Sequence, residues 1–136
     1  MEPLVSVIIP SYNRFDFLLN AIRSVKNQTY KNIEIIVIND CSSDENYYEK
    51  TNFKDVKIIH LEQNQKEIYG FGPGAVRNFG VDKAKGKYLA FLDDDDLWFE
   101  KKLEIQIKEL ESSENKMSTT EALIGFGEYD PSNEYR

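Results

Sequence analysis

Four short apolar runs, rich in β-branched residues, alternate along the chain with segments of helical periodicity. The apolar runs predict strands at residues 5–9, 33–38, 56–61 and 88–92. Between and after them, apolar residues recur every three or four positions, as in Leu18, Ile22 and Val25 and again in Leu103, Ile107 and Leu110. Strands that alternate with helices indicate an α/β domain with a mainly parallel central sheet flanked by helices.

Capping residues predict where the helices begin. Asn13, followed by Asp16, resembles a capping box and predicts a helix directly after the first strand. The serines at 42–43, before two acidic residues, predict a second helix start. The polar stretch 62–73 contains glycines and a proline and is predicted as a loop, followed by a helix over roughly 74–84.

Length and composition limit the class of protein. The 136 residues predict a single domain, with a polar tail at 113–136 that holds one candidate strand at 122–126. A net charge of −7 argues against a nucleic-acid partner, because phosphate contacts need a basic surface. The single cysteine, Cys41, suits a reducing compartment. No run approaches the roughly 20 apolar residues of a membrane-spanning helix, and the N-terminus lacks the basic start of a signal peptide, so we expect a cytoplasmic protein without a transmembrane segment.

Polar clusters follow three of the predicted strands at the point where each strand ends. They occupy residues 10–14 (PSYNR), 39–43 (NDCSS) and 93–96 (DDDD). In sheets of this kind, ligands bind outside the carboxyl ends of the strands. Three polar clusters at one edge of the sheet therefore predict a binding site.

The four consecutive aspartates, 93–96, are the sharpest chemical signal. Four like charges at the end of a buried strand repel one another and need a counter-charge. Mg²⁺ or Mn²⁺ fits, because hard cations take carboxylate oxygens and complete their shell with waters and phosphates. On an extended segment Asp93 and Asp95 share one face, opposite Asp94 and Asp96. The alternative is a solvated acidic turn at the start of the next helix, and the position at a strand end favours the metal site.

The two other clusters each allow a binding interpretation and a structural one. Asp40 can accept hydrogen bonds from a ribose hydroxyl or a base, or it can form an Asx turn with the serines at 42–43. Residues 10–13 can place backbone amides and the Tyr12 ring against a base, or they can serve as an ordinary helix cap.

Arg77 is a further candidate, because it follows small residues at 74–75 and carries a charge suited to phosphate or a base. The alternative for Arg77 is a surface arginine. We assign no metal role to the lone histidine, His60, and expect Cys41 to be a small packed side chain.

Four segments together resemble the family 2 glycosyltransferases of the GT-A fold. They are residues 5–14 (VSVIIPSYNR), 36–44 (IVINDCSSD), 74–80 (GAVRNFG) and 86–96 (GKYLAFLDDDD). The resemblance implies that residues 1–136 form a single Rossmann-like GT-A domain that binds a nucleotide sugar, and we expect the chain to lack the C-terminal acceptor half. It also implies the cofactor, Mn²⁺ or Mg²⁺, and the donor, with a UDP-sugar favoured.

The resemblance assigns roles to individual residues. The implied nucleotide-binding residues are Pro10, Ser11, Tyr12, Asn13, Arg14, Asp40, Arg77, Asp93 and Asp94. Within this set, Ser11 and Asp40 contact the nucleoside and Arg77 lies near the base or the diphosphate. Residues 93–95 match the family's Asp-any-Asp motif, with Asp95 and then Asp93 as the implied metal ligands.

In the family's mechanism the metal neutralises the departing nucleoside diphosphate, and a later carboxylate deprotonates the acceptor hydroxyl. The late acidic residues are Glu121, Glu128 and Asp130, and none lies in a recognisable base motif, so the catalytic base stays unassigned.

Four functions compete. The favoured one is sugar transfer from a nucleotide sugar to an acceptor hydroxyl; the alternative is a truncated binding module that hydrolyses the donor slowly without transfer. A signalling receiver domain needs acidic residues after the first strand, and residues 10–13 contain none. A nucleotidyltransferase needs a Gly-rich, Arg-containing loop after the first strand, and this loop is missing.

We also predict that the chain forms a homodimer, which would cover exposed apolar surface.

Overall fold

A computed structural model describes residues 1–70 and 72–124 of the chain. The strands are β1 (Val5–Ser11), β2 (Ile33–Asn39), β3 (Lys57–His60) and β4 (Tyr88–Phe91). The helices are α1 (Phe15–Lys26), α2 (Gln65–Tyr69), α3 (Pro73–Val81) and α4 (Lys102–Glu111), with 3₁₀ turns at Glu45–Tyr48 and Lys50–Phe53. Within the described ranges, no helix combines the length and the apolar character that crossing a membrane requires.

The four strands form one parallel sheet in the order β3-β2-β1-β4, which confirms the predicted α/β architecture. The chain moves outward from β1 to β2 and β3, and then crosses back to pair β4 with the other side of β1. In open α/β sheets, ligands bind at the carboxyl ends of the strands where the strand order reverses in this way. We call the space between the carboxyl ends of β1 and β4 the switch crevice.

Helices cover both faces of the sheet. Val5, Val7 and Ile9 alternate along β1 and pack in a large core cluster with residues of α1 and α4. Ile8 faces the other way and packs in a smaller cluster with Val76 of α3. Burial on both faces explains why the strands read as nearly continuous apolar runs in the sequence.

Helix α3 approaches β1 closely because Gly80 has no side chain. A Cβ at Gly80 would lie 2.5 Å from Cγ2 of Ile8, well inside van der Waals contact. Gly74, in the first turn of the same helix, has open space where its Cβ would be. The packing of α3 therefore depends on Gly80, and the start of the helix keeps free space beside it.

Strand β1 is longer than predicted, because it continues through Pro10 to Ser11. The carbonyl oxygen of Ile8 accepts from the N–H of Leu92 at 3.1 Å, so this side of β1 faces β4. Pro10, two residues on, directs its nitrogen to the same side, where β4 has already ended. The missing N–H of Pro10 therefore costs no ladder hydrogen bond.

The start of α1 also differs from the prediction. No side chain caps the helix, so the capping box of Asn13 and Asp16 is wrong. Asn13 has a φ of 50°, and its Oδ1 accepts from the backbone N–H of Ser43 at 2.9 Å. The helix start predicted beside Ser43 is a 3₁₀ turn that Asp44 caps. Asn13 therefore joins the loops that follow β1 and β2.

Two further segments differ from their predictions or lie partly outside the described residues. Residues 62–73, predicted as a loop, contain α2, which Asn64 caps at its start and Gly70 ends with a φ of 77°. A helix of five residues is too short to show periodicity, and only its capping residues mark it. In the candidate strand of the tail, residues 122–124 form no strand, and residues 125–126 lie outside the described residues.

Candidate functional site

A chain of hydrogen bonds joins the ends of β1 and β4 across the switch crevice. Ser11 Oγ donates to Asp94 Oδ2 at 2.7 Å and lies 2.5 Å from the hydroxyl of Tyr47. Because a serine hydroxyl has one hydrogen, Tyr47 donates to Ser11. The Tyr47 oxygen accepts in turn from the backbone N–H of Arg14 at 3.0 Å. The loops that follow β1, β2 and β4 are thus one hydrogen-bonded unit.

The four aspartates form a turn, which we call the acidic turn, closed by a hydrogen bond from Asp96 N–H to Asp93 O at 3.1 Å. The predicted extended segment, with Asp93 and Asp95 on one face, is therefore wrong. Asp94 is only 6% exposed. The side chains of Asp93 and Asp95 are 47% and 49% exposed, so these two carboxylates are open to a ligand.

Two arginines from different elements pair with the acidic turn. Arg14 Nη1 lies 2.6 Å from Asp95 Oδ2 and 3.5 Å from Asp94 Oδ1. Arg77 of α3 pairs with Asp93, and its Nε is buried without a hydrogen-bond partner in the described part of the chain. The counter-charge that we assigned to a cation is therefore supplied in part by two guanidinium groups. Two positive charges still leave the four carboxylates in excess.

Burial changes the ionisation of the acidic turn. Burial is the largest effect on Asp94 and raises its pKa, while the hydrogen bond from Ser11 and the charge of Arg14 act in the opposite direction. Burial also raises the pKa of Asp96, and the charges of Asp95 and Asp93 add to the effect. Both shifts mean that the surroundings of these two carboxyl groups stabilise the charged form less well than water does.

Asp40 follows β2 and anchors the start of α2. Its Oδ1 accepts from the backbone N–H of Gln65 at 2.8 Å, and its Oδ2 accepts from Asn64 Nδ2 at 3.1 Å. Burial raises the pKa of Asp40, and the hydrogen bond from Gln65 opposes that rise. The serine N–H that we considered as a partner of Asp40, that of Ser42, instead donates to Asn39 Oδ1 at 2.9 Å. The predicted contact of Asp40 with a nucleoside stays a prediction.

The segment after β1 combines one exposed ring with side chains that hold the loop. Tyr12 is 47% exposed, whereas Ser11 is 4% exposed and bonded to Asp94. Pro10 lies inside β1, and Asn13 is bonded to the loop after β2. Tyr12 therefore presents an exposed ring beside the end of β1, while Ser11 holds Asp94 of the acidic turn. The nucleotide contacts of residues 10–14 stay predictions.

His60 and Cys41 lie at the β2–β3 side of the sheet. The His60 ring stacks on Tyr48 with 4.8 Å between ring centroids, and its Nδ1 lies 3.0 Å from Asn39 Nδ2. Burial lowers the pKa of His60. Cys41 has a φ of 63°, and its Sγ donates to Glu62 O at 3.5 Å. These contacts hold His60, the last residue of β3, and Cys41, in the loop after β2, within the fold.

The acidic turn supplies suitable oxygen ligands for a hard cation. Among residues 1–70 and 72–124, no three His, Cys, Asp or Glu side chains converge into a complete metal cage. Asp93 and Asp95 nonetheless offer two half-exposed carboxylates. Mg²⁺ in particular binds through one or two carboxylates, with waters and substrate phosphates completing the shell, and Mn²⁺ prefers the same oxygen ligands. The residues present therefore fit a cation that binds together with phosphate.

Sequence reasoning missed Tyr47 and the pair Asn64 and Gln65. Tyr47 is fully buried although it lies in a polar, charged stretch, and no local pattern marks it. Asn64 did carry a signal, because an acidic residue, Glu67, follows three positions later as in a capping box.

The amino-acid sequence of this chain is similar to those of known proteins. The profile of Glycosyl transferase family 2 matches residues 6–134. An uncharacterized glycosyltransferase of Rickettsia bellii is 47% identical over 111 residues, which cover 80% of this chain and 15% of the relative. The Escherichia coli protein WfaP, a UDP-Glc:alpha-D-GlcNAc-diphosphoundecaprenol beta-1,3-glucosyltransferase, is 41% identical over 109 residues, covering 80% of this chain and 42% of the relative. The chain thus spans less than half the length of these relatives.

Structural comparison agrees on the fold. The crystal structure of S. aureus TarS 1-349 in complex with UDP-GlcNAc superposes with a TM-score of 0.72 at 23% identity, covering 88% of this chain and 38% of that one. Identity at this level supports the shared architecture alone, the parallel sheet flanked by helices. Since the family profile matches nearly the whole chain and two relatives exceed 40% identity, this chain belongs to Glycosyl transferase family 2 and has its Rossmann-like GT-A fold.

Proposed function

We propose that this chain is the donor-binding part of a metal-dependent glycosyltransferase, which binds a UDP-sugar and transfers the sugar to an acceptor hydroxyl. Family membership supports the class of reaction. The observation that carries the proposal is the meeting of two arginines and four aspartates at the switch crevice. A site with both signs of charge can hold a cation and a diphosphate together.

The choice of uridine rests on a relative, and the crevice offers groups that suit a nucleoside. The E. coli relative carries UDP-Glc in its name and is 41% identical to this chain. The half-exposed ring of Tyr12 offers a stacking surface for a base, and Asp40 offers carboxylate oxygens to a base or ribose. Asp40 already accepts two hydrogen bonds, so a nucleoside would use its remaining lone pairs.

The residues of the acidic turn divide into positioning and binding roles. Asp94 is buried and holds the loop after β1 through Ser11, which positions the turn. Asp93 and Asp95 would hold Mn²⁺ or Mg²⁺, and Arg77 would contact the diphosphate or the base. A bound cation would supply Lewis-acid stabilisation of the negative charge that develops on the leaving nucleoside diphosphate.

The acceptor side of the reaction is not assigned to any residue of this chain. Of the late acidic residues, Glu121 is exposed, and Glu128 and Asp130 lie outside the described residues. The general base and the acceptor are not assigned to residues of this chain.

The predicted homodimer stays a prediction. The surface that favours it is that of β4, a strand at the edge of the sheet whose apolar side chains Leu89 and Phe91 are 43% and 47% exposed.

Calorimetric titration of UDP, GDP and UDP-sugars, with and without Mn²⁺, tests the proposal. We expect UDP to bind more tightly in Mn²⁺ than without it. Asp95→Asn should weaken UDP binding in Mn²⁺ by at least about tenfold, because it removes a metal-ligating carboxylate. Asp82→Asn is the matched control, since Asp82 is exposed at the opposite end of α3 from the crevice.

Two outcomes would overturn parts of the proposal. If Asp95→Asn binds UDP in Mn²⁺ as tightly as the wild type, the metal assignment fails. If UDP-sugars bind with metal dependence but candidate acceptors gain no sugar, the chain is a binding module and not by itself a transferase. Slow release of free sugar in that second case would identify donor hydrolysis.

A further inference from the structure

Arg14 links the two sides of the switch crevice. It is the N-cap residue of α1, and its backbone N–H is held by the Tyr47 hydroxyl at 3.0 Å. Its guanidinium reaches across to the acidic turn, 2.6 Å from Asp95 Oδ2 and 3.5 Å from Asp94 Oδ1. The main chain of Arg14 is thus anchored, while its half-exposed side chain is held by the acidic turn alone among the interactions of the described residues.

This ion pair occupies the carboxylate that the proposed function assigns to the cation. A divalent ion on Asp95 would lie within a few ångströms of the Arg14 guanidinium, and like charges at that distance repel. One oxygen of Asp95 is already hydrogen-bonded to Arg14. The cation and the guanidinium therefore compete for the same group.

We propose that Arg14 is an exchangeable counter-ion: it neutralises Asp95 when no donor is bound, and it moves to the diphosphate when the cation takes Asp95. This inference rests on the proposed function, because it assumes that a cation and a diphosphate share the switch crevice. Arg14 is then a phosphate-binding residue whose resting partner is a metal ligand.

The balance of charge gives a direction to the exchange. A cation alone must displace a guanidinium that has no new partner in the crevice, so its binding is weakened. A cation that arrives with a nucleoside diphosphate brings phosphate oxygens, and a guanidinium binds these with a planar, forked geometry. Metal and nucleotide should therefore bind cooperatively, each strengthening the other by the same factor.

The variant Arg14→Gln removes both proposed contacts of Arg14, the ion pair with Asp95 and the contact with the diphosphate, and two measurements distinguish their effects. Mn²⁺ binding without nucleotide is measured from the electron paramagnetic resonance signal of free Mn²⁺, and UDP binding is measured by calorimetry at saturating Mn²⁺. We expect Mn²⁺ alone to bind about thirtyfold more tightly to the variant, the factor for removing a unit charge about 4 Å from a divalent ion in water. We expect UDP in Mn²⁺ to bind several-fold more weakly, because a phosphate contact is lost.

Arg23→Gln is the matched control for net charge. Arg23 is exposed on α1 and hydrogen-bonds to Asn20 Oδ1 at 3.3 Å, so its removal changes the net charge by the same amount without touching the acidic turn. Both affinities of this variant should equal those of the wild type. Arg14→Lys keeps the charge but loses the fork, so its Mn²⁺ affinity should stay near that of the wild type while its UDP affinity falls.

The exchange predicts opposite changes in Arg14→Gln: the affinity for Mn²⁺ alone rises, and the affinity for UDP in Mn²⁺ falls. If Mn²⁺ and UDP affinities both fall together, or if neither changes, Arg14 is not an exchangeable counter-ion. Should Arg14→Gln fail to fold, as judged by circular dichroism, Arg14→Met provides the same comparison with an apolar side chain of similar length. A wild-type protein that binds neither Mn²⁺ nor UDP would instead contradict the proposed function.

Discussion

Two strands of the sheet end in buried aspartates, and the protein treats them differently. After β2, Asp40 is held by neutral donors, the N–H of Gln65 and the side-chain amide of Asn64. After β4, the buried Asp94 is held closely by the Ser11 hydroxyl, whereas the half-exposed Asp93 and Asp95 pair with the charges of Arg77 and Arg14. A neutral hydrogen bond inside the protein fixes a loop, whereas an ion pair at a half-exposed carboxylate can be exchanged for another cation. Asp40 therefore fixes the loop after β2, whereas the carboxylates of Asp93 and Asp95 can exchange their partners.

The largest difference in stability should come from Asp40→Ala. The variant leaves the buried N–H of Gln65 without an acceptor and removes one hydrogen bond of the Asn64 amide, which still donates to the Asp40 carbonyl oxygen at 3.1 Å. We expect a loss of about 2 kcal/mol in the free energy of unfolding, since a buried donor left unpaired costs about 1–3 kcal/mol, the lost Asn64 bond adds to this, and relief of the buried charge offsets part of it. Urea unfolding measures the loss, and faster hydrogen exchange in α2 would locate it.

Asp40→Asn is the control for that experiment, because its amide oxygen can still accept from Gln65. It should lose much less stability than Asp40→Ala. Equal losses in the two variants would mean that Asp40 acts through its charge, and the contrast between the two aspartate sites would disappear.

A second effect should appear in the pH dependence of stability. Burial raises the pKa of Asp94 above its ordinary value of 3.8, so the folded state binds this proton more tightly than the unfolded state. The stabilising contribution of protonated Asp94 is complete below pH 3.8 and is lost as the pH rises through the raised pKa. Asn at this position cannot ionise, so the stability of Asp94→Asn relative to the wild type should increase with pH across that window.

Urea midpoints of both proteins, taken at several pH values from below 3.8 to neutrality, measure this difference. A difference that stays constant with pH would mean that the effects of Ser11 and Arg14 on the pKa of Asp94 cancel that of burial. A difference that changes in the opposite direction would mean that they exceed it.

The smallest effect should come from Asp95→Asn without any ligand. Its partner Arg14 is half exposed, as Asp95 is, and exposed ion pairs contribute about 0.2–1 kcal/mol. We expect a loss of about 0.5 kcal/mol at low ionic strength, which shrinks as salt screens the pair. Thermal unfolding in low and high salt measures it, with Asp40→Ala as the reference whose loss should not depend on salt. A salt-independent loss in Asp95→Asn would indicate that this pair is as fixed as the hydrogen bonds of Asp40.

Local patterns predicted most of the secondary structure and the edge of the sheet where the candidate site lies. The β-branched runs identified all four strands, and the three polar clusters marked their carboxyl ends. The predictions of secondary structure were wrong where one or two residues decide how a strand ends or whether a short helix forms. Pro10 stays inside β1 because no strand needs its N–H, and α2 forms because Asn64 and Gly70 cap a very short segment.

The partners within the site could not be predicted in the same way. Tyr47 was missed because its burial depends on the loops after β1 and β4, which lie far from it in the chain. The shape of the acidic run was predicted wrongly, because a turn or an extended segment suits four aspartates equally well until neighbouring loops are in place. Asp94 is buried against Ser11, a residue 83 positions away.

The chain's own sequence determined the strands, the helices and the presence of charged groups at the strand ends, since these depend on residues close together in the chain. Only the tertiary structure decided which aspartate is buried and which arginine pairs with which carboxylate. Those pairings follow from the strand order β3-β2-β1-β4, which places the end of β1 beside the end of β4. Strand order is settled by how helices cover both faces of the whole sheet, and no short stretch of residues encodes it.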